Sequence, residues 1–153
     1  MSYEDKIKEL NVILPEAKAP VGNYVAAKTS GKMLFISGQI SIDESGKLIK
    51  GKVGKDLSLE DGQKASRLCV ANILAQAQKA LDGDLSKIKN CIKITGYVNS
   101  TEDFVDQPKV LNPASETLAE IFGEQGKHTR VAVSANSLPL GIAVEIDAIF
   151  EIK

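Results

Sequence analysis

Tryptophan is absent from this chain, and aromatic residues together make up only 5% of it. That leaves little for stacking nucleic-acid bases. Positive charge is not in excess either: 19 Lys and Arg stand against 20 Asp and Glu, for a formal net charge of −1. With no basic run, nothing recommends a nucleic-acid backbone as partner. No apolar stretch approaches the roughly 18 residues that cross a bilayer. The opening MSYEDKIKEL carries charge from residue 4 onward, which does not fit a secretory signal. No membrane association and a cytoplasmic location are therefore the expectation. Two cysteines and a single histidine, with no close spacing among them, do not make a metal site. Cys69 falls in a helical run and Cys91 in a strand-like one, so both are expected as buried, reduced thiols.

What is present is an ordinary globular balance. The chain has 153 residues, 43% hydrophobic and 25% charged, enough to bury one real core. Residues 1–153 are expected as a single domain, with 1–20 as an N-terminal helical extension. The most informative stretch is KHTRVAVSANSLPLGIAVEIDAIFEI, Lys127 to Ile152. Two strand-like runs, Thr129–Ala135 and Ala143–Ile152, flank a turn at Ser137–Gly141. In the second run Val144, Ile146, Ala148, Phe150 and Ile152 alternate with Glu145, Asp147 and Glu151, the signature of a half-buried strand. If the two strands are neighbours, Arg130 and Glu145 can meet at one end of a sheet. An arginine fork is suited to gripping a substrate carboxylate at two points, and a nearby Glu can orient or deprotonate a water. The competing reading is a surface ion pair on a sheet edge, which contributes little. His128, two residues before Arg130, reads as an exposed loop residue, although imidazole is the natural proton carrier at neutral pH.

Upstream, Ser2 can cap a short helix to Leu10, with Asp5 in its first turn. After the connector Asn11–Pro20, the pattern predicts a hairpin: Asn23–Thr29, a turn at Ser30–Lys32, then Met33–Gly38. Met33–Ile36 is unbroken apolar, as in a strand covered on both faces, and Gly38 lets another group come close. Ser58 caps the longest helix, Leu59–Leu81, with Asp61 completing a capping box. Ile88–Asn99 is a strand with Ile92, Ile94 and Val98 on one face and Lys93, Thr95 and Tyr97 on the other. Ser100–Leu111 is a loop, and Asn112-Pro113 opens a second helix that runs to about Gly123. The order implies an α+β fold, a mixed sheet with two helices packed on one face. The other face must be solvated or buried against another subunit, and the apolar strand favours homo-oligomerisation.

Three segments resemble the Rid family, the YjgF-like reactive-intermediate deaminases also known as L-PSP endoribonucleases. They are VGNYVAAKTSGKMLFISGQI, ITGYVNSTEDFVDQPKVLNPASETLAEIFG and TRVAV…LPLGIAVEIDAI. The likeness runs from about residue 20 to 152. It implies a chorismate-mutase-like fold, a homotrimer with sites between subunits, and cofactor-free hydrolysis of 2-imino and enamine acids to 2-keto acids and ammonia. By the same resemblance Arg130 matches the carboxylate-binding arginine and Glu145 the acid beside the attacking water. Tyr24, Ser37, Gly38 and Asn112 match site-lining positions. Ala132 stands where many imine deaminases of the family carry Cys, and the chain is similar to a longer branch of the family. Asn112 also reads simply as a helix N-cap, Tyr24 as a hairpin residue and Ser37-Gly38 as a strand end. Two other functions stay open: a non-catalytic trimer that binds small carboxylates or keto acids through Arg130, and an RNA-directed endoribonuclease.

Overall fold

Alternation of apolar and polar residues builds five strands, and three-and-four spacing builds three α-helices, in the computed structural model, which describes all 153 residues. The strands are β1 (Ala27–Ser30), β2 (Met33–Ile40), β3 (Ile88–Asn99), β4 (Thr129–Ala135) and β5 (Val144–Ile152). The helices are α1 (Tyr3–Glu9), α2 (Leu59–Ala80) and α3 (Gln107–Phe122). The sheet order is β1-β2-β5-β3-β4, with β3 and β4 parallel and every other pairing antiparallel. This is the α+β mixed sheet expected, with α2 and α3 on one face.

The core lies between that sheet face and the two helices. Leu34 and Ile36 of β2, Ile94 and Val98 of β3, and Val144, Ile146, Ala148 and Phe150 of β5 are buried against Ile73 and Leu74 of α2 and Leu111 and Leu118 of α3. A Cβ on Gly96 would overlap the Leu111 side chain, so the absence of a side chain lets α3 settle onto β3. Ser2 and Asp5 form a reciprocal capping box on α1, and Ser58 and Asp61 form one on α2, each satisfying otherwise orphaned helix N–H groups. Tyr3 meets Phe122 edge to face at 4.6 Å, docking α1 on the end of α3.

Four expectations are corrected. The strand before the first turn starts at Ala27, and residues 21–26 are irregular rather than extended pairing partners. In β3, register shifts between Cys91 and Lys93, so Ile92 has no partner and Cys91, not Ile92, joins Ile94 and Val98 in the core. Helix α3 begins at Gln107, five residues before Asn112, so Pro113 is inside it and Asn112 is not its N-cap. Proline leaves the carbonyl four residues earlier without its helical donor. Here Gln63 Nε2 of α2 donates to that Lys109 carbonyl at 2.9 Å. Finally, β4 and β5 are not neighbours, because β3 runs between them.

Both cysteines are buried and free. Burial pushes the Cys91 thiol up to about 12 and that of Cys69 well above its ordinary value, so neither is a ready nucleophile. No helix is long and apolar enough to cross a membrane.

Candidate functional site: two separated half-sites

Arg130 sits on the edge strand and projects toward α3. Its register partner is Ile94, a core residue beneath the helices, so the guanidinium stands on the helix side of the sheet. Pro108, Asn112, Ser115 and Ala119 recur at four-, three- and four-residue steps along α3, which places them on one stripe. That stripe cradles the guanidinium. Nη1 donates to Asn112 Oδ1 at 3.1 Å and to Ser115 Oγ at 3.2 Å, while Nη2 makes a long bond to the Pro108 carbonyl at 3.5 Å. Nε makes no bond within the chain. The ion pairs of the chain join Lys6–Glu9, Lys89–Glu151, Lys109–Asp106 and Lys127–Glu124. Arg130 enters none of them, which removes the surface ion pair as its explanation. A cation gripped only by neutral acceptors keeps its full charge for an incoming anion.

His128 extends this cluster. Its Nδ1 lies 2.7 Å from the Gly126 carbonyl, so Nδ1 carries the proton and Nε2 accepts from Ser115 Oγ–H at 2.9 Å. Burial first, and the Arg130 charge in addition, hold its pKa below the ordinary imidazole value. Ser115, His128 and Arg130 line an open hollow of about 350 Å³ together with Glu116, Ala119 and Lys127.

Glu145 lies elsewhere. It alternates with the buried Val144 and Ile146, so it stands on the face that no helix covers. It is registered with Tyr97, three positions along β3 from the Ile94 that pairs Arg130. The two residues are thus on opposite faces, one strand apart and roughly 10 Å apart along the strand direction. Around Glu145 the β2 ladder is interrupted between Ile36 and Gln39. A Cβ on Gly38, inside that bulge, would overlap the Glu145 carboxylate. The close approach expected at Gly38 is therefore made by a side chain. Ser37 Oγ donates to the Val25 carbonyl at 2.7 Å and Ser37 N to the Ala26 carbonyl at 2.8 Å. These bonds hold the segment carrying Tyr24, itself 56% exposed, against the bulge. The Glu145 side chain accepts no hydrogen bond within the chain. Burial, then the charge of Asp147, raises its pKa. Asp147 is raised by burial too, against the pull of Lys93 and Thr95.

The family model "YjgF/chorismate_mutase-like, putative endoribonuclease" matches residues 4–150. This chain belongs to that family. Among its relatives, Protein TCP17 of Trypanosoma cruzi is 40% identical over 96% of this chain and 92% of its own length. A RutC family protein of Pyrococcus horikoshii is 32% identical over 90% of this chain and 94% of its own. Protein Atu1372 of Agrobacterium tumefaciens, a crystal structure of unknown function, is 46% identical with a TM-score of 0.90, covering 98% of this chain and 91% of its own. E. coli TdcF with bound serine is 25% identical with a TM-score of 0.60, covering 90% and 94%.

Within one copy of this family member, the residues picked out from sequence thus divide. Arg130 and Asn112 come together on α3 and β4, with Ala132 two residues along the same strand face. Ser37, Gly38 and Glu145 come together around the β2 bulge, with Tyr24 on the segment that Ser37 tethers there. Sequence reasoning missed Ser115 and dismissed His128. The signal was the stripe 108-112-115-119, hidden while Ser100–Leu111 passed for a loop.

Proposed function

We propose that this protein hydrolyses reactive 2-imino and enamine acids to 2-keto acids and ammonia, as a Rid-type deaminase. The observation that carries the reading is the half-buried Arg130, held by Asn112 and Ser115 and paired with no carboxylate of its own chain. The serine bound to TdcF supports a small ligand with a carboxylate beside a nitrogen-bearing carbon. The reaction asks little of a protein: fix the carboxylate, hold a water on one face of the C=N bond, and move protons as ammonia leaves. Arg130 serves the first need. Glu145, with its pKa raised by burial and its carboxylate unbonded, serves the second and third.

Because one copy keeps Arg130 and Glu145 on opposite faces, this reading requires sites completed between copies, and the assembly proposed is a homotrimer. Its support is the uncovered sheet face, where Phe35, Val131 and Val133 are 43%, 43% and 39% exposed. Light scattering should give three times the 16.4 kDa chain mass, and a monomer at micromolar concentration would sink the assembly. The activity is tested by generating 2-iminobutyrate in situ and following its loss with and without the protein. The expected result is a faster conversion, most of which Arg130→Lys removes while the fold persists. A rate unchanged by the wild-type protein would leave the second reading, a trimer that binds keto acids through Arg130 without turning anything over. An RNA-directed activity has less support, given the net charge of −1 and the absence of Trp.

A further inference from the structure

We propose that Ser115 and His128 are positioning residues of the Arg130 site, a hydroxyl–imidazole relay that sets the guanidinium and couples anion binding there to proton uptake at His128. The proposal rests on reading Arg130 as the carboxylate grip, and its test separates the two.

Three bonds in series define the relay. The Gly126 carbonyl accepts from Nδ1–H, so Nε2 is left bare; Nε2 accepts the Ser115 hydroxyl proton; and Ser115 Oγ, its own proton thus directed away, presents a lone pair to Arg130 Nη1. Asn112 Oδ1 takes the other Nη1 hydrogen. With Nη1 fully occupied, the fork cannot rotate freely, and the groups left for a ligand are Nε–H and Nη2. The start of the relay is rigid. Gly126 is buried, and a Cβ there would overlap the Leu118 carbonyl of α3, so only glycine brings this carbonyl so close under the histidine.

The charged groups facing His128 are few. Arg130 comes from β4, which His128 immediately precedes, Lys127 from the same connection, and Glu116 from α3. Lys127 is drawn onto Glu124 at 2.7 Å, and of these charges the Arg130 guanidinium, linked through Ser115, is the one that holds the His128 pKa down. The repulsion between Arg130 and a protonated imidazole is relieved when an anion neutralises the fork. Binding must then favour His128 protonation, and by reciprocity protonation must favour binding. Affinity for a keto acid therefore rises as pH falls from neutral into the mildly acidic range.

His128 is the chain's only histidine, so its ring protons give one unambiguous NMR signal. In ligand-free protein, Arg130→Gln should move the His128 titration to higher pH, and an unmoved titration overturns the coupling. Saturating 2-ketobutyrate should move the wild-type titration the same way, and bound ligand with an unmoved titration overturns it again. Ser115→Ala should weaken 2-ketobutyrate binding about tenfold, as for loss of one hydrogen bond to a charged group. Ser115→Thr, which keeps the hydroxyl, should restore it; wild-type affinity in Ser115→Ala ends the positioning role. His128→Gln can still accept from Ser115 but cannot titrate. The variant should lose the rise in affinity in acid, and a rise that persists overturns the coupling. A wild type that binds no 2-ketobutyrate sinks the carboxylate reading, and there the Arg130→Gln titration still judges the coupling.

Discussion

The region around Arg130 and the region around Glu145 solve opposite problems. Arg130 is a cation with hydrogen-bond partners and no counter-charge. Its partners come from one helix stripe, and they fix its direction without cancelling its charge. Glu145 is an anion with neither partners nor counter-charge. It is crowded into the space left by Gly38 and pushed toward its neutral form by burial and by Asp147. On the proposed function the first region holds the substrate still, and the second exchanges a proton. As a catalytic site neither would be complete alone, because β4 presents Arg130 on the helix side and β5 presents Glu145 on the open side. Under the proposed deaminase function, a folded single chain contains the parts of a carboxylate-binding hydrolytic site without containing the site. That is a physical reason for assembly independent of any apolar surface.

The comparison breaks first on Glu145. Glu145→Gln should lower imine turnover by about 10²–10⁴-fold, the usual worth of a general base or water-orienting group, while 2-ketobutyrate affinity stays near the wild-type value. Calorimetry beside the rate assay checks both halves. A normal rate with weakened binding would mean that Glu145 serves only as Arg130's partner and that the water belongs to another residue.

Arg130→Lys reverses the pattern. An ammonium is a point charge that cannot grip a carboxylate at two points or bond Asn112 and Ser115 together. Keto-acid affinity should fall by about 10- to 100-fold, with far-ultraviolet circular dichroism unchanged because Arg130 supports no buried contact of the core. Equal effects of the Arg130 and Glu145 changes on binding and on rate would merge the two regions into one ion pair.

Gly38→Ala sharpens the same contrast at smaller cost. The added methyl must displace the Glu145 carboxylate, and a misplaced catalytic group loses up to about 10²-fold. Turnover should drop while 2-ketobutyrate binding on Arg130 does not. Equal loss of both would place Gly38 in the fold rather than in the Glu145 region.

The two regions were not equally legible in the sequence. The alternation of Val144–Ile152 gave β5 and the acids of its uncovered face directly, and Ser2/Asp5 and Ser58/Asp61 marked their helix starts, because these signals are local. Strand order is not local. Nothing in a period of two says that β3 separates β4 from β5, so the meeting of Arg130 and Glu145 on adjacent strands was an inference that the topology undid. The start of α3 was lost for a related reason. Asn112-Pro113 has the form of a helix opening, and what allows a proline inside the helix is Gln63 at the Lys109 carbonyl, 46 positions away. With α3 begun too late, Pro108, Asn112 and Ser115 never lined up, and the partners of Arg130 and His128 stayed out of view.

The smallest expected effect tests whether Glu145 meets water or a guanidinium. Its folded pKa is raised above the unfolded value, so the folded state holds a proton that the unfolded chain gives up. That preference stabilises the fold below the unfolded carboxylate range and is lost as pH rises through the folded pKa. At neutral pH the ionised, unbonded carboxylate is a liability, and Glu145→Gln removes it. The melting midpoint of the variant should exceed that of the wild type by about 1–3 °C at neutral pH, with the gap closing as pH falls through the raised folded pKa and below the unfolded carboxylate range. The sign is what decides. If a second copy's Arg130 lay directly against Glu145, the folded pKa would instead be depressed, and the variant would melt below the wild type at neutral pH. A higher midpoint in the assembled protein therefore says that the two regions face each other across a gap, with room between them for a substrate and its water.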